Sequence, residues 1–277
     1  MDVKEPFEKW WAFITESFAE YFIGIFRINL LSFLAMIAFV IALVAIALAG
    51  FFALGGTTGI GSYGLPALVL FGIVALIGVI LMVWVSEAIK LTAYIYTDCM
   101  LTKKKFGIIE SFNRIKWDTV KYLLIDLGII IAIMIPGMIL AVIAAFTGII
   151  GWILFAGYIL AVMLGYAIVR QFWVFGFLIK KQGVVDALKD SVDMVRKNLK
   201  AVILFDIVLV LGAIIFEGPS ILYGLVSDSM LENAMVGGTV MAILIIFLHL
   251  LITLALTTLG EIFILPTTYL MWKKLSK

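Results

Sequence analysis

The sequence predicts an all-α, polytopic membrane protein with six transmembrane helices. Hydrophobic residues make up 65% of the 277 residues and charged residues only 14%, and the mean hydropathy is +1.22. Soluble domains are nearer half apolar and a quarter charged. Crossing a bilayer takes roughly 20 apolar residues in a helix. Six segments reach that length, at about 28–54, 66–97, 121–146, 149–178, 201–226 and 235–271.

The basic residues predict the orientation of these spans. Of the 20 Lys and Arg residues, all but Lys90 and Arg170 lie at the two termini or in the loops after the second and fourth spans. Basic loops stay on the cytoplasmic side of a membrane. We therefore expect a multi-pass protein of the plasma membrane with both termini in the cytoplasm.

The remaining loops differ from the basic ones. One is rich in glycine, GGTTGIGSYG at 55–64, and another is acidic, with Glu217, Asp228 and Glu232. These loops are expected on the outer side. Residues 1–27 carry five acids, so the N-terminus does not have the basic start of a signal peptide. A single cysteine, two glutamines and abundant isoleucine favour a thermophilic or archaeal source.

Three similar segments suggest an internal repeat within one membrane domain. The segment ESFNRIKWDTVKYLLID at 110–126 aligns without gaps with DSVDMVRKNLKAVILFD at 190–206, which places Asp126 on Asp206. The segment ESFAEYFIGIFRINLLS at 16–32 fits the same frame. The turns KKFG at 104–107 and KKQG at 180–183 precede two of them. Three helical-hairpin repeats are therefore expected, at 7–102, 103–179 and 180–277.

Each repeat is expected to begin with an amphipathic helix. Apolar residues recur at helical spacing in all three segments, for example at Val184, Leu188, Val192, Val195 and Leu199. One interpretation is a helix lying in the cytoplasmic interface, with its basic groups near lipid phosphates. The other is a cap that packs on the end of the bundle, and both can hold at once. The predicted headgroup contacts are Lys103, Lys104, Lys105, Lys116, Lys180, Lys181, Arg196 and Lys197.

The run from Phe172 to Asp206 resembles a signature of uncharacterised multispanning families. Its features are a long span, the Gly183 turn, Ala187-Leu188, Ser191 and Arg196-Lys197-Asn198 before a new span. The run is similar to the membrane domain attached to some glycerophosphoryl diester phosphodiesterases, to YciC-like proteins and to related prokaryotic domains of unknown function. The resemblance implies a helical membrane protein without established chemistry, and no catalytic residue is carried over.

Ionisable residues inside the apolar segments are the main candidate site. A charge at the centre of a membrane helix costs about 2.5–3.5 kcal/mol, so its presence needs an explanation. Most of these residues fall toward the cytoplasmic side and are expected to form one layer. An ion-pair layer that fixes helix packing, snorkelling to headgroups, and an ion or proton site are the three interpretations. The residues concerned are Glu87, Lys90, Asp126, Arg170, Asp206, Glu217, His249 and Glu261.

The sixth span carries a polar line at i, i+4 spacing. His249, Thr253, Thr257 and Glu261 fall roughly on one helix face. The line suits a hydrogen-bonded proton path, since histidine titrates near neutrality. Alternatively the threonines bond their own backbone. Pro266 is expected to kink this span, and Gly218-Pro219 to break or end the fifth.

Motifs of catalysis and cofactor binding are missing from the sequence. None of GxxxxGK[ST], HExxH, CxxC or GxSxG occurs. One histidine and one cysteine make a transition-metal site improbable. Ser111 and Ser191 are interpreted as helix-surface residues. No enzyme activity and no cofactor are expected.

The function expected from these observations is non-enzymatic. Membrane lipids are the expected partners, through the cytoplasmic helices, with an unknown protein or a second copy of the chain as further partners. Nucleic acid is not expected, because the net charge is only +2. The alternative is a transporter or channel that uses the layer of charges in the membrane.

Overall fold

The chain is helical throughout the part that the structure describes. A computed structural model describes residues 3–53, 56–236 and 239–276, with no strand among them. The helices are α1 (Lys4–Ala53), α2 (Gly56–Thr102), α3 (Ile108–Thr147), α4 (Ile149–Ile179), α5 (Val184–Lys197), α6 (Leu199–Val236) and α7 (Thr239–Leu275).

Six of these helices are long and apolar enough to cross a membrane, and α5 is not among them. The candidate spans are Lys4–Gly50, Gly72–Thr102, Ile108–Thr147, Ile149–Ile179, Leu199–Gly224 and Ile245–Leu275. The prediction of an all-helical chain with six possible spans is therefore confirmed for the described residues.

Two predicted interruptions of the helices were wrong. Most of the glycine-rich loop at 55–64 belongs to α2, which begins at Gly56, and α6 continues through Pro219 to Val236. A helix satisfies its backbone groups within its own segment, and near a bilayer this outweighs the poor helix propensity of Gly and Pro. The side chains of Asp228 and Glu232, predicted in an acidic outer loop, lie outside the described residues.

Consecutive helices pack as three hairpins. α1 packs with α2, α3 with α4, and α6 with α7. Between the hairpins, α1 also contacts α7 and α2 contacts α3, while the short α5 lies against α4. This arrangement brings the basic ends of different hairpins together.

The packed core lies near the ends that carry Lys and Arg, away from the most apolar stretches. No more than 17% of the most apolar window of any span is buried. The largest fully buried side chains are instead close to the basic segments, and they include Tyr21, Tyr122, Phe172, Trp173, Phe175, Phe205, Tyr269 and Met271. Tertiary packing therefore joins the helices mainly at one end, and the remaining apolar surface is left for lipid.

The three segments predicted to be amphipathic are joined to their spans in different ways. In α1 the helix is interrupted at Ser17, where φ is −128° and ψ is 16°. In α3 the segment continues into the span without a break. The third segment is the separate helix α5, which ends at Asn198, where φ is −122° and ψ is 25°.

The turns expected to match before α3 and α5 are different. Lys103 and Lys181 both have a φ of 55°, but they lie four and two residues before Gly107 and Gly183. The left-handed residues are therefore out of register with each other. The threefold repeat itself stays a prediction.

Candidate functional site

Arg170 lies at the centre of the predicted charge layer. Its Nε is 3.1 Å from Asp126 Oδ1, and its Nη2 is 3.6 Å from Glu87 Oε1. The three residues come from α4, α3 and α2, so one guanidinium links two helical hairpins through two carboxylates. The Arg170 side chain is 41% exposed and that of Asp126 only 10%, which makes this ion pair partly buried.

Aromatic side chains surround the Arg170–Asp126 pair. The Tyr166 hydroxyl donates a hydrogen bond to Asp126. The guanidinium carbon of Arg170 is 5.8 Å from the centre of the Tyr122 ring, a distance at which a cation is attracted to the ring face. Tyr122 packs against Trp173 with 4.7 Å between ring centres, and both are fully buried. The pair is therefore held in place by packing as well as by charge.

Asp206, the aspartate aligned with Asp126, has an uncharged partner. Its Oδ1 accepts a hydrogen bond of 2.7 Å from Gln171 Nε2. Its Oδ2 is buried and has no hydrogen-bond partner among the described residues. Consecutive residues of α4, Arg170 and Gln171, thus contact the two aligned aspartates.

Glu261 is held by the N-terminal helix. Asn29 Nδ2 donates to Glu261 Oε2 at 2.8 Å and to Thr258 Oγ1 at 3.2 Å, which ties α1 to α7. Lys90 is exposed and makes no ion pair within 4.0 Å in the described part of the chain. Glu217 packs on Gly260, because a Cβ added at Gly260 would overlap its side chain. The eight ionisable residues therefore form several local groups. One of these groups is the ion-paired cluster of Arg170, Asp126 and Glu87.

The polar line of the sixth span is not a connected path in the described structure. Thr257 Oγ1 donates to the backbone oxygen of Thr253 at 2.9 Å, and no described hydrogen bond joins the side chains of the line. The His249 ring stacks on Tyr223 with 5.3 Å between centres, and its Nδ1 is buried without a partner among the described residues. The Thr257 hydroxyl is therefore bonded to its own helix backbone, as in the alternative interpretation of the line.

The predicted headgroup contacts are mostly exposed. Lys116 is half-buried, and the others are exposed: Lys103, Lys104, Lys105, Lys180, Lys181, Arg196 and Lys197. Three of the eight have protein partners. Lys104 Nζ lies 3.8 Å from Asp98 Oδ2, and Lys116 Nζ donates a hydrogen bond of 3.1 Å to Asn113 Oδ1. Lys180 Nζ lies 5.6 Å from the centre of the Trp272 ring.

An apolar groove of about 620 Å³ runs between α2 and α3 and reaches Asp126. Trp84 and Trp117 line it and stack with 5.8 Å between their ring centres. The Trp84 indole also donates to the backbone oxygen of Lys116 at 2.7 Å. Asp126 therefore borders an apolar groove and also contacts Arg170.

Two predictions about serine were wrong. Ser111 and Ser191, interpreted as surface residues, are buried, with exposures of 8% and 2%. Ser191 Oγ donates to the backbone oxygen of Val169 at 2.7 Å, which fastens α5 to α4. A small side chain with one hydroxyl fits a close helix contact in which the hydroxyl finds a carbonyl of the neighbouring helix.

Sequence reasoning missed the neutral members of these groups. Asn29, Tyr166 and Gln171 each bond a buried or half-buried carboxylate, and none of them was among the predicted site residues. Gln171 had a usable signal, because an amide follows Arg170 directly inside an apolar run. A search for every amide and hydroxyl in the spans would have found it.

Comparison with known proteins gives a family but no activity. A family model described as a domain of unknown function, DUF7847, matches residues 112–270. No curated protein matches the chain, and no solved structure does. The match fits the prediction of an uncharacterised membrane family, but it does not support the more specific resemblance to the phosphodiesterase-attached or YciC-like domains. Since the matched residues make up more than half of the 277-residue chain, the chain belongs to the DUF7847 family.

Proposed function

We propose that this chain is a non-enzymatic, multi-pass protein of the plasma membrane whose basic end binds anionic lipid headgroups. The observation that carries the proposal is the surface of α5. In this proposal both termini and α5 lie on the cytoplasmic side, as the distribution of basic residues predicts.

One side of α5 packs on the protein. Val184, Ala187, Ser191 and Val195 are buried, and they recur at helical spacing. The Trp173 indole donates to the backbone oxygen of Val184 at 2.7 Å. These contacts fix the rotation of α5 about its axis, so the directions of its other side chains are fixed as well.

A second side of α5 is aliphatic and exposed, with a basic border. Val185 and Val192 are 48% and 45% exposed, although burial in protein or lipid is favourable for both. They are seven residues apart and therefore lie on nearly the same side of the helix. Lys189 follows Val185 by four residues, Arg196 follows Val192 by four, and both bases are exposed. Aliphatic side chains beside basic ones suit the boundary between hydrocarbon and lipid phosphate.

The third side of α5 is acidic. Asp186, Asp190 and Asp193 are exposed and lie away from the aliphatic residues on the helix, and Lys197, a predicted headgroup contact, is the one base on this side. Acids avoid an anionic surface and favour water. The order of core, lipid and water sides around one short helix supports contact with lipid, where each nearby Lys or Arg contributes about 1 kcal/mol.

Site-directed spin labelling tests this placement. Cys99 is the single cysteine and is buried, so a Cys99→Ser background accepts one label at a chosen position. In nanodiscs we expect Val192→Cys to be accessible to oxygen, which dissolves in lipid. Asp193→Cys, its matched control, should be accessible to a water-soluble nickel complex. Equal nickel accessibility at both positions would contradict the placement.

Lipid preference is tested separately. Native mass spectrometry should detect more retained phosphatidylglycerol than phosphatidylcholine on the intact protein, and Lys189→Gln with Arg196→Gln should reduce that preference. A variant with Asp190→Asn is the control that changes charge on the water side. Equal retention of both lipids by the unmodified protein would refute the proposed function.

A transporter or channel is the second candidate, and one observation favours it. The buried Oδ2 of Asp206 has no partner among the described residues, which is the state expected of a group that awaits a proton or cation. Flux of protons and alkali cations into liposomes tests it. Loss of flux in Asp206→Asn would support this candidate, and the absence of flux in the unmodified protein would reject it.

A further inference from the structure

A polar pocket lies where α3, the end of α4 and the start of α5 meet. Its volume is about 320 Å³. The lining residues are Arg114, Ile115, Asp118, Lys121, Phe177, Leu178, Lys181, Gln182, Gly183 and Val184. None of the exposed aliphatic or basic residues proposed to face lipid on α5 is among them, so the pocket is a separate feature.

The pocket carries an excess of positive charge. Arg114, Lys121 and Lys181 contribute three positive charges and Asp118 one negative charge, which leaves a net charge of two. Lys121 Nζ lies 3.5 Å from Asp118 Oδ1, so these two charges offset each other and Arg114 and Lys181 supply the excess. Lys181 makes no ion pair among the described residues. A concave site with this excess favours an anion.

The Arg114 guanidinium makes one long contact with the backbone. Its Nη2 donates to the backbone oxygen of Leu178 at 3.4 Å, close to the end of α4. A guanidinium has five N–H donors, so this bond leaves most of them available. An arginine with free donors can make two parallel hydrogen bonds to a phosphate.

The start of α5 adds backbone donors. Gly183 is the N-cap of α5 and makes no side-chain cap bond, and the acid of the first turn, Asp186, does not line the pocket. Val184, the first residue of α5, lines the pocket. The first N–H groups of a helix have no partner within it and favour negative charge. At this place they supplement three basic side chains around a cavity.

We propose that this pocket binds a phosphate group carried as a monoester. A phosphate monoester has close to two negative charges at neutral pH, which matches the net charge of the pocket. Its tetrahedral set of oxygens accepts hydrogen bonds from several directions at once. The same chemistry is present in a phosphomonoester lipid headgroup and in a soluble phosphate ester.

Isothermal titration of the full-length protein in neutral nanodiscs tests the proposal, with inorganic phosphate as the first probe. We expect saturable binding that weakens about tenfold in Lys181→Asn and in Arg114→Gln, because each variant removes a charged hydrogen-bond donor. Asparagine tolerates the left-handed φ of 55° at position 181, so this variant should fold even if Arg114→Gln does not.

Matched controls separate this site from the proposed lipid surface. Lys189→Gln and Arg196→Gln remove positive charge from α5 outside the pocket, and phosphate affinity should change less than twofold. The proposal is overturned if the unmodified protein does not bind phosphate, or if the controls weaken binding as much as the pocket variants. Retention of phosphatidylglycerol by α5 is measured by native mass spectrometry, independently of phosphate binding. The lipid surface and the phosphate pocket can therefore be refuted separately.

The source of the phosphate is decided by two further probes. Glycerol phosphate is soluble, and phosphatidic acid supplied in the nanodisc is a lipid with a monoester headgroup. Binding of glycerol phosphate alone would assign a soluble ester, and binding of phosphatidic acid alone a lipid. Either result supports the phosphate site if Lys181→Asn weakens the binding of that probe. If Lys181→Asn changes the binding of neither probe, the proposal is overturned.

Discussion

The indole nitrogen of Trp10 donates a hydrogen bond of 3.0 Å to the backbone oxygen of Ile262. That oxygen lies four residues before Pro266, whose missing N–H would otherwise have been its helical partner. Trp10 is buried and also packs edge-on against Phe263, with 5.1 Å between ring centres. One side chain of α1 therefore compensates for a proline in α7, and the helix continues through Pro266 to Leu275.

Replacing Trp10 by phenylalanine should destabilise the protein. The substitution keeps an aromatic ring but leaves the Ile262 oxygen without a donor, at a cost of about 1–3 kcal/mol. Denaturant unfolding in mixed micelles measures the change. Trp11→Phe is the matched control, because Trp11 is 62% exposed and should give a change near zero. Equal losses in both variants would contradict the role of the hydrogen bond.

Replacing Arg170 alone should destabilise the protein more than replacing Arg170 together with its two acidic partners, Asp126 and Glu87. Arg170→Met leaves Asp126 and Glu87 as uncompensated charges and should cost about 3 kcal/mol, the lower end of the range because the arginine is partly exposed. Adding Asp126→Asn and Glu87→Gln to the same protein should restore most of that stability. The same unfolding assay compares the single and triple variants, and a triple variant weaker than the single one would argue against this account.

Replacing each of the two aligned aspartates, Asp126 and Asp206, by asparagine should change the stability of the protein by different amounts. Asp126→Asn removes the charge that faces Arg170 and should destabilise the protein by about 1–3 kcal/mol. Asp206→Asn keeps an oxygen for Gln171 and removes a half-buried charge without a charged partner, so stability should fall by no more than about 0.5 kcal/mol. Unfolding midpoints of the two variants, measured side by side, check this. A larger loss in Asp206→Asn would reverse the assignment.

Gly24 is required where α1 and α2 approach each other. A Cβ added there would overlap the ring of Tyr96, a buried side chain that stacks on Tyr21. Gly24→Ala should therefore cost about 1–3 kcal/mol through overpacking. Gly128→Ala is the control, because nothing lies within 4 Å of its added Cβ, and its stability should stay level or rise. A neutral Gly24→Ala would show that Tyr96 can move aside.

Much of the architecture could be predicted from sequence because it depends on the length and polarity of segments. Apolar runs that exceed the thickness of a bilayer define possible spans without any knowledge of their neighbours. The errors at 55–64 and at Pro219 came from applying propensities measured in water to segments next to a bilayer. There the cost of unpaired backbone groups dominates.

Partner choice within the charge layer could not be predicted in the same way. The sequence places Glu87, Lys90 and Arg170 at similar depths, but depth does not determine which way each side chain points around its helix. Arg170 faces two acids, and Lys90 is exposed. That difference depends on how α2 and α4 are rotated against α3, to which the Trp84–Trp117 and Tyr122–Trp173 contacts contribute.

The uneven position of the core determines how this protein loses its structure. Water expels the apolar halves of the hairpins into lipid, and little protein packing is involved in keeping them there. Loosening the aromatic cluster of Phe175, Tyr269 and Trp272 would weaken the contact between the second and third hairpins without pulling either of them out of the bilayer. Insertion and assembly are thus nearly independent steps, and the side chains that govern assembly lie at the basic end of the molecule.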